Sequence, residues 1–145
     1  MKIERVMVDS LMFDPSNART HSPRNIKTIH PSLAQSVQHK PLVLHHANIV
    51  LAGNGTLQAA KNLNWKHISI YRTELSGPEA MAFALADNKT AELAEWDDEI
   101  LNSHLEGFIN EGWDMEEFGF DLDLPEEKPP KEKKHKECPN CGELI

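Results

Sequence analysis

Gly53-Asn54-Gly55-Thr56 lies between the apolar run Ile49-Val50-Leu51-Ala52 and the helix-forming run Leu57-Gln58-Ala59-Ala60. A strand that turns on glycines into a helix has one chemical use above others, the binding of phosphate. The unpaired N–H groups of the first helical turn and the positive end of the helix dipole converge there, and glycines let the backbone approach a ligand without interference from Cβ. The turn lacks the Lys-Ser/Thr ending of a Walker loop and the third glycine of a dinucleotide fingerprint, so neither motif describes it. Its plain alternative is a strand-to-helix turn that needs glycine for geometry alone.

Other chemistry-bearing residues lie on both sides of this turn. Arg19 and His21 fall in an N-terminal loop, where the ordinary role is turn formation and solvation, and Lys40 precedes a strand at Pro41, where an ammonium can neutralise a phosphate or simply be solvated. Asp87-Asn88-Lys89 sits at the far end of a helical pattern, where a polar terminus with Lys89 complementing the dipole is the alternative to a binding corner. His45-His46 marks a turn tip with no further ligand nearby. At the C-terminus, Cys138-Pro-Asn-Cys141-Gly142 has the spacing that lets two thiolates grip one Zn²⁺, with His135 as a third ligand and a partner chain to complete four. This is half a zinc site. A thioredoxin-type redox pair would need a helix start in a βαβ setting, which a charged tail does not supply.

The elements that must position these groups are legible from periodicity and turn chemistry. Lys2 to Val8 alternates as a first strand, and Asp14-Pro15-Ser16-Asn17 is a turn. Ser22 caps a helix with Pro23 in its first position and Ile26, Ile29 and Leu33 at helical spacing; Pro31 is expected to kink it or split it before Gln38. Pro41 to Leu44 and Asn48 to Leu51 form a hairpin, followed by the glycine turn, a helix to about Asn64, and a strand over Lys66 to Tyr71. Ser76-Gly77-Pro78-Glu79 reads as a capping box opening a helix with Met81, Ala84 and Leu85 on one face. A last helix starts at Asp97, buries Ile100, Leu101, Leu105, Phe108 and Ile109, and stops at Gly112. Trp65, Trp96 and Trp113, each near a helix end, are expected to anchor the core rather than stack bases.

The net charge of −8 conceals a strong division along the 145 residues. Residues 1–73 carry nine Lys and Arg against three acids, and residues 74–127 carry one Lys against seventeen acids. The glycine turn is therefore in the half that welcomes phosphate or nucleic acid, and the acidic half would repel DNA. Both cysteines fall in the last eight residues, so the fold has no disulfide framework to rely on. With no apolar run near the roughly 18 residues of a membrane span and no signal-peptide pattern, a cytoplasmic protein without membrane contact is expected.

Asn17-Ala-Arg19, Lys40-Pro41-Leu42-Val43, the glycine turn and Ala86-Asp87-Asn88-Lys89, in this order, resemble a ParB-like domain of the ParB/sulfiredoxin superfamily, often called ParB-like nuclease. The resemblance covers about residues 1–122. It is strongest to a branch found in bacteriophages and mobile elements beside DNA methyltransferases, whose strand-Ala-Gly-Asn-Gly-Thr-Leu turn is similar to Ile49 to Ala60 and whose Asp-Asn-Lys-Thr-Ala-Glu-Leu-Ala-Glu-Trp-Asp run is similar to Asp87 to Asp97.

The resemblance implies an α+β fold, a small mixed β-sheet flanked by helices, followed by a helical segment and a disordered charged tail. Its divisions would be a domain at 1–122, with sheet and glycine-turn helix in 1–73 and an acidic helical part in 74–122, then a charged linker at 123–134 and the Cys-x-x-Cys tail at 135–145. Gly53, Asn54, Gly55 and Thr56 would line the phosphates of a nucleoside triphosphate, Asp87 and Asn88 would face Mg²⁺ or ribose, and Arg19, Lys40 and Lys89 would be further phosphate partners. Three positions depart from the family: Thr56 replaces a phosphate-gripping arginine, Asn54 stands at the catalytic glutamate of hydrolysing relatives, and Val37 replaces a glycine. No counterpart to the helix-turn-helix and dimerisation regions of chromosome-partition proteins is expected in these 145 residues.

The implied function is that of a DNA-metabolism accessory protein in a bacterial or phage-infected cell. It would bind nucleotide or a DNA phosphate, form a homodimer, and regulate or recruit a DNA-modifying enzyme such as a methyltransferase, or phage packaging or replication proteins. Two alternatives stay open. One is a metal-dependent endonuclease or NTPase using Asp87, Glu92, Asp97 and Asp98, which two-metal chemistry would require to converge; the other is an adaptor that has lost its ligand.

Overall fold

A computed structural model of the protein describes residues 2–35 and 38–122. Val37, the linker at 123–134 and the expected zinc ligands His135, Cys138 and Cys141 lie outside the described residues.

Five strands, β1 (Ile3–Met7), β2 (Met12–Phe13), β3 (Leu42–Leu44), β4 (Ile49–Ala52) and β5 (His67–Arg72), make one sheet in the order β1-β5-β3-β4-β2. The sheet is mixed: β1 and β5 are antiparallel, β5 and β3 parallel, β3 and β4 antiparallel, and β4 and β2 parallel. Four helices flank it, α1 (Pro23–Gln35), α2 (Asn54–Asn62), α3 (Gly77–Leu93) and α4 (Asp98–Asn110). This is the expected α+β architecture. One sheet face is covered by α2, whose Leu57 and Ala60 join Val8, Leu11, Leu42, Leu44, Val50, Ile68 and Ile70 in the main core. Each fully buried Leu, Ile or Val contributes roughly 1.5–3 kcal/mol, so this layer fixes where β4 ends and α2 begins. A second cluster of Ile26, Leu33 and Ala59 glues α1 to α2, and Trp65 packs against both clusters, the anchoring role expected of it.

Several local expectations need correction. The first strand ends at Met7, and Val8 to Ser10 form a 3-10 turn that buries Val8. Strand β2 is too short to show alternation in sequence. Helix α1 opens as expected, with Asn25 N–H donating to Ser22 Oγ at 3.1 Å, and continues through Pro31 as one element, so it is not split there. Ser76 is the N-cap of α3 but its hydroxyl caps nothing, so the capping box does not form, whereas Asp97 caps α4 by accepting from Ile100 N–H at 3.1 Å.

The largest departures concern the acidic half. Helix α3 passes through Asp87-Asn88-Lys89 to Leu93, because Ala91, Glu92 and Leu93 are good helix formers and the Thr90 hydroxyl bonds back to the Ala86 carbonyl at 2.9 Å. Ala80 and Ala84 face inward, with Met81 and Leu85 exposed. On α4 only Leu105 is buried; Ile100 is 57% exposed, and Phe108 and Ile109 are also exposed. Trp96, 70% exposed, and Trp113 are not core anchors, although Trp96 meets Phe120, and Trp113 meets Phe108, edge to face. Helical spacing reveals an apolar stripe but not whether the same chain supplies anything to cover it. Among the described residues no helix is long and apolar enough to cross a membrane.

Candidate functional site

The glycine turn is built from its backbone. Gly53 caps α2 with φ at 99°, in the left-handed region that favours glycine, and a Cβ there would stand 2.5 Å from Leu42 Cδ2 across the β3–β4 pair. Leu57 N–H donates to the Gly53 carbonyl at 2.9 Å, which leaves the N–H groups of Asn54, Gly55 and Thr56 with no protein acceptor among the described residues. Three adjacent donors at the positive end of a helix form an anion cradle.

Asn54 contributes its backbone alone. Its side chain is 7% exposed and turned inward, with Nδ2 donating to the Val50 carbonyl at 2.9 Å and Oδ1 accepting from Asp14 N–H at 3.4 Å. This amide stitches the loop that follows β2 to the glycine turn. Gly55 is needed for a different reason: a Cβ would approach His21 Cε1 to 2.8 Å and Ile29 Cδ1 to 3.1 Å. His21 is held by Asn25, with Nδ1 and Asn25 Oδ1 2.7 Å apart. Loop 14–22 therefore touches the turn at both of its ends.

The middle of the same loop reaches α3. Asn17 locks it as an Asx turn, Oδ1 accepting from Arg19 N–H at 3.2 Å and Nδ2 donating to the Arg19 carbonyl at 2.9 Å. Arg19 Nη1 then donates toward the Asn88 carbonyl and Asn88 Oδ1, both at 3.4 Å, and pairs with Glu92 Oε1 at 3.6 Å. Asn88 Nδ2 donates in turn to the Ala84 carbonyl at 2.9 Å. Thus Asn88 spends its amide on Ala84 and Arg19. Helix α3 also packs on β4, the strand leading into the turn.

Of the residues singled out in the sequence, Gly53, Asn54, Gly55 and Thr56 share one turn, while Arg19 meets Asn88 on α3 and, with Lys89, meets Glu92. Lys40 is exposed two residues before Leu42, the residue packed on Gly53; its carbonyl accepts from Gln38 Nε2 at 2.8 Å, and the same amide pairs with Ser69 of β5. Asp87 is exposed, and only its carbonyl is engaged, by the Thr90 hydroxyl. Among the described residues no three His, Cys, Asp or Glu side chains stand together as a metal site, so Asp87, Glu92, Asp97 and Asp98 do not converge. The donors present among the described residues fit a phosphate; they do not form a set for Mg²⁺.

His21, Asn54 and Glu92 all stand out in the sequence, but three of their contacts are not legible there: His21 against Gly55, the inward Asn54 amide, and Glu92 against Arg19. The only signal available was the Asx-forming Asn17 in a loop also carrying Arg and His. A cleft of about 710 Å³ lies elsewhere, between α1 and the segment after α4, bounded by Arg24, Lys27 and His30 on one wall and Asp114, Glu116 and Asp121 on the other. Arg24 and Asp121 pair across it, and none of the glycine-turn residues lines it.

No protein-family model and no curated protein matches this sequence. Among solved structures, the fold is similar to the C-terminally truncated chromosome-partitioning protein ParB from Caulobacter crescentus complexed with CTP-γ-S, with a TM-score of 0.65 at 16% identity over 82% of this chain and 69% of that one. The same protein complexed to the centromeric parS site matches with a TM-score of 0.51 at 16% identity, over 81% of this chain and 65% of that one. A Pnob8-like ParB-N domain matches with a TM-score of 0.47 at 20% identity, and there the chain spans 33% of the longer protein. The chain therefore has a ParB-like fold.

Proposed function

We propose that this protein is a DNA-metabolism accessory factor that binds a nucleoside triphosphate or a nucleic-acid phosphate at the glycine turn and recruits or regulates a DNA-modifying partner, such as a methyltransferase or a phage replication or packaging protein. The observation that carries the reading is the row of N–H groups at Asn54, Gly55 and Thr56 that have no acceptor among the described residues, bordered by the loop whose Arg19 reaches Asn88 on α3. Two structures of similar fold, one holding CTP-γ-S and one holding parS, support a ligand of this class. Phosphates would bind to the cradle N–H groups, with Lys40 and Arg19 supplying positive charge. Binding would fix loop 14–22 and α3 in one arrangement, and a partner would read that arrangement. The wider reading places the ParB-like domain at 1–122 and the linker and zinc-binding tail beyond it, in a cytoplasmic protein that pairs as a homodimer.

Calorimetric titration with CTP, ATP and GTP, with and without Mg²⁺, tests this. The expected result is saturable binding of at least one, lost or weakened about tenfold in Arg19→Ala, where a charge-assisted contact goes. Absence of binding by all three, together with unchanged behaviour of Asn88→Ala, rejects it. An adaptor without ligand is the second reading, favoured by the exposed apolar residues of α3 and α4.

A further inference from the structure

We propose that Glu92 is an internal occupant of the anion seat between Arg19 and Lys89, so that a phosphate ligand reaches these cations only by displacing it. The proposal rests on the phosphate-binding reading above and adds a regulatory contact to that site. The two cations arrive from different elements, Arg19 from loop 14–22 and Lys89 from α3. They meet opposite oxygens of one carboxylate, Arg19 Nη1 at 3.6 Å from Oε1 and Lys89 Nζ at 3.3 Å from Oε2.

Helix formation does not account for this arrangement. Lys89 and Glu92 are spaced i, i+3 with the lysine N-terminal to the acid, the less favourable orientation against the helix dipole, and such a pair adds little to an isolated helix. Residues 74–127 hold seventeen acids and a single lysine, Lys89. One of those acids, Glu92, takes both that lysine and an arginine from the basic half. A carboxylate presents two oxygens and one charge to these donors, whereas a phosphate presents three oxygens and more charge, and guanidinium and ammonium accept either. The Glu92 side chain is 50% exposed and both cations are also solvated, so the ion pairs are weak and exchange with a more highly charged anion is cheap. In the ligand-free protein the carboxylate offsets half of the seat's positive charge and holds the loop on α3. A bound phosphate takes its place and sets Glu92 free, one residue before exposed Leu93 at the end of the helix.

The test compares Glu92→Gln, close in shape, with Glu95→Gln, which removes the same charge from an exposed side chain that has no ion pair among the described residues. CTP and inorganic triphosphate are the probes, titrated by calorimetry into the full chain. Glu92→Gln is expected to bind about three- to tenfold more tightly than wild type, Glu95→Gln within about twofold of it, and the gain is expected to vanish in an Arg19→Ala background. Wild-type binding that Glu92→Gln leaves equal or weaker overturns this proposal while the phosphate reading stands. So does a gain matched by Glu95→Gln, or one that survives Arg19→Ala. No binding by any variant removes both.

Discussion

Replacing Gly53 by alanine introduces two separate strains, a non-glycine residue at φ 99° and a methyl group 2.5 Å from Leu42 Cδ2. The left-handed backbone costs about 1–2 kcal/mol and the overpacking about 1–3 kcal/mol. Gly53→Ala should therefore lose about 2–5 kcal/mol in urea unfolding, whether or not the protein binds phosphate. Asn54 supports a second prediction. Because its amide is buried and bonds Val50 and Asp14, Asn54→Ala removes both hydrogen bonds and should cost about 1–3 kcal/mol. Asn54→Glu, which puts a carboxylate where the inward amide is buried, should destabilise further. From sequence, Asn54 is a polar residue on a glycine turn and reads as a ligand contact. Its inward rotamer depends on where loop 14–22 passes, a long-range fact with no local signature.

At the scale of elements, capping distinguishes two helices with similar sequence signals. Asp97→Ala removes an actual hydrogen bond to Ile100 and should lower stability by about 1 kcal/mol, whereas Ser76→Ala removes none and should change it by less than about 0.5 kcal/mol. Thermal unfolding of the two variants measures the difference. The elements themselves were mostly legible. The β3–β4 hairpin, the turn into α2, strand β5 and the Ser22 cap follow from alternation and turn residues, because local chemistry determines them. Strand β2 was not, since two residues carry no period and Met12 and Phe13 are strand only by pairing in parallel with Ile49 and Val50. The burial of α4 was misread for the complementary reason. Ile100, Phe108 and Ile109 have helical spacing, but contact with the sheet is a tertiary matter that spacing does not report.

Across the whole molecule, charge separation should make ligand binding sensitive to salt and folding much less so. The expected site draws Arg19 and Lys40 from the basic half and Lys89 from the acidic one, and Arg19 and Lys89 both contact the acidic half's Glu92. At 0.1 M salt the screening length is about 10 Å, so the field of the more distant acids fades while hydrophobic burial does not. Raising salt from 50 to 300 mM should weaken triphosphate binding about three- to tenfold and leave the urea midpoint nearly unchanged; calorimetry and unfolding curves on the same samples decide this. Loop 14–22 has a consequence for how this chain tolerates change in length. It meets Asn54 at Asp14, α3 at Arg19 and Gly55 at His21, so its three contacts act as a ruler with fixed marks. A single residue added between Asn17 and His21 would throw one mark out of step with the others, whereas the hairpin tip at His45-His46, with no comparable obligations, has slack for several.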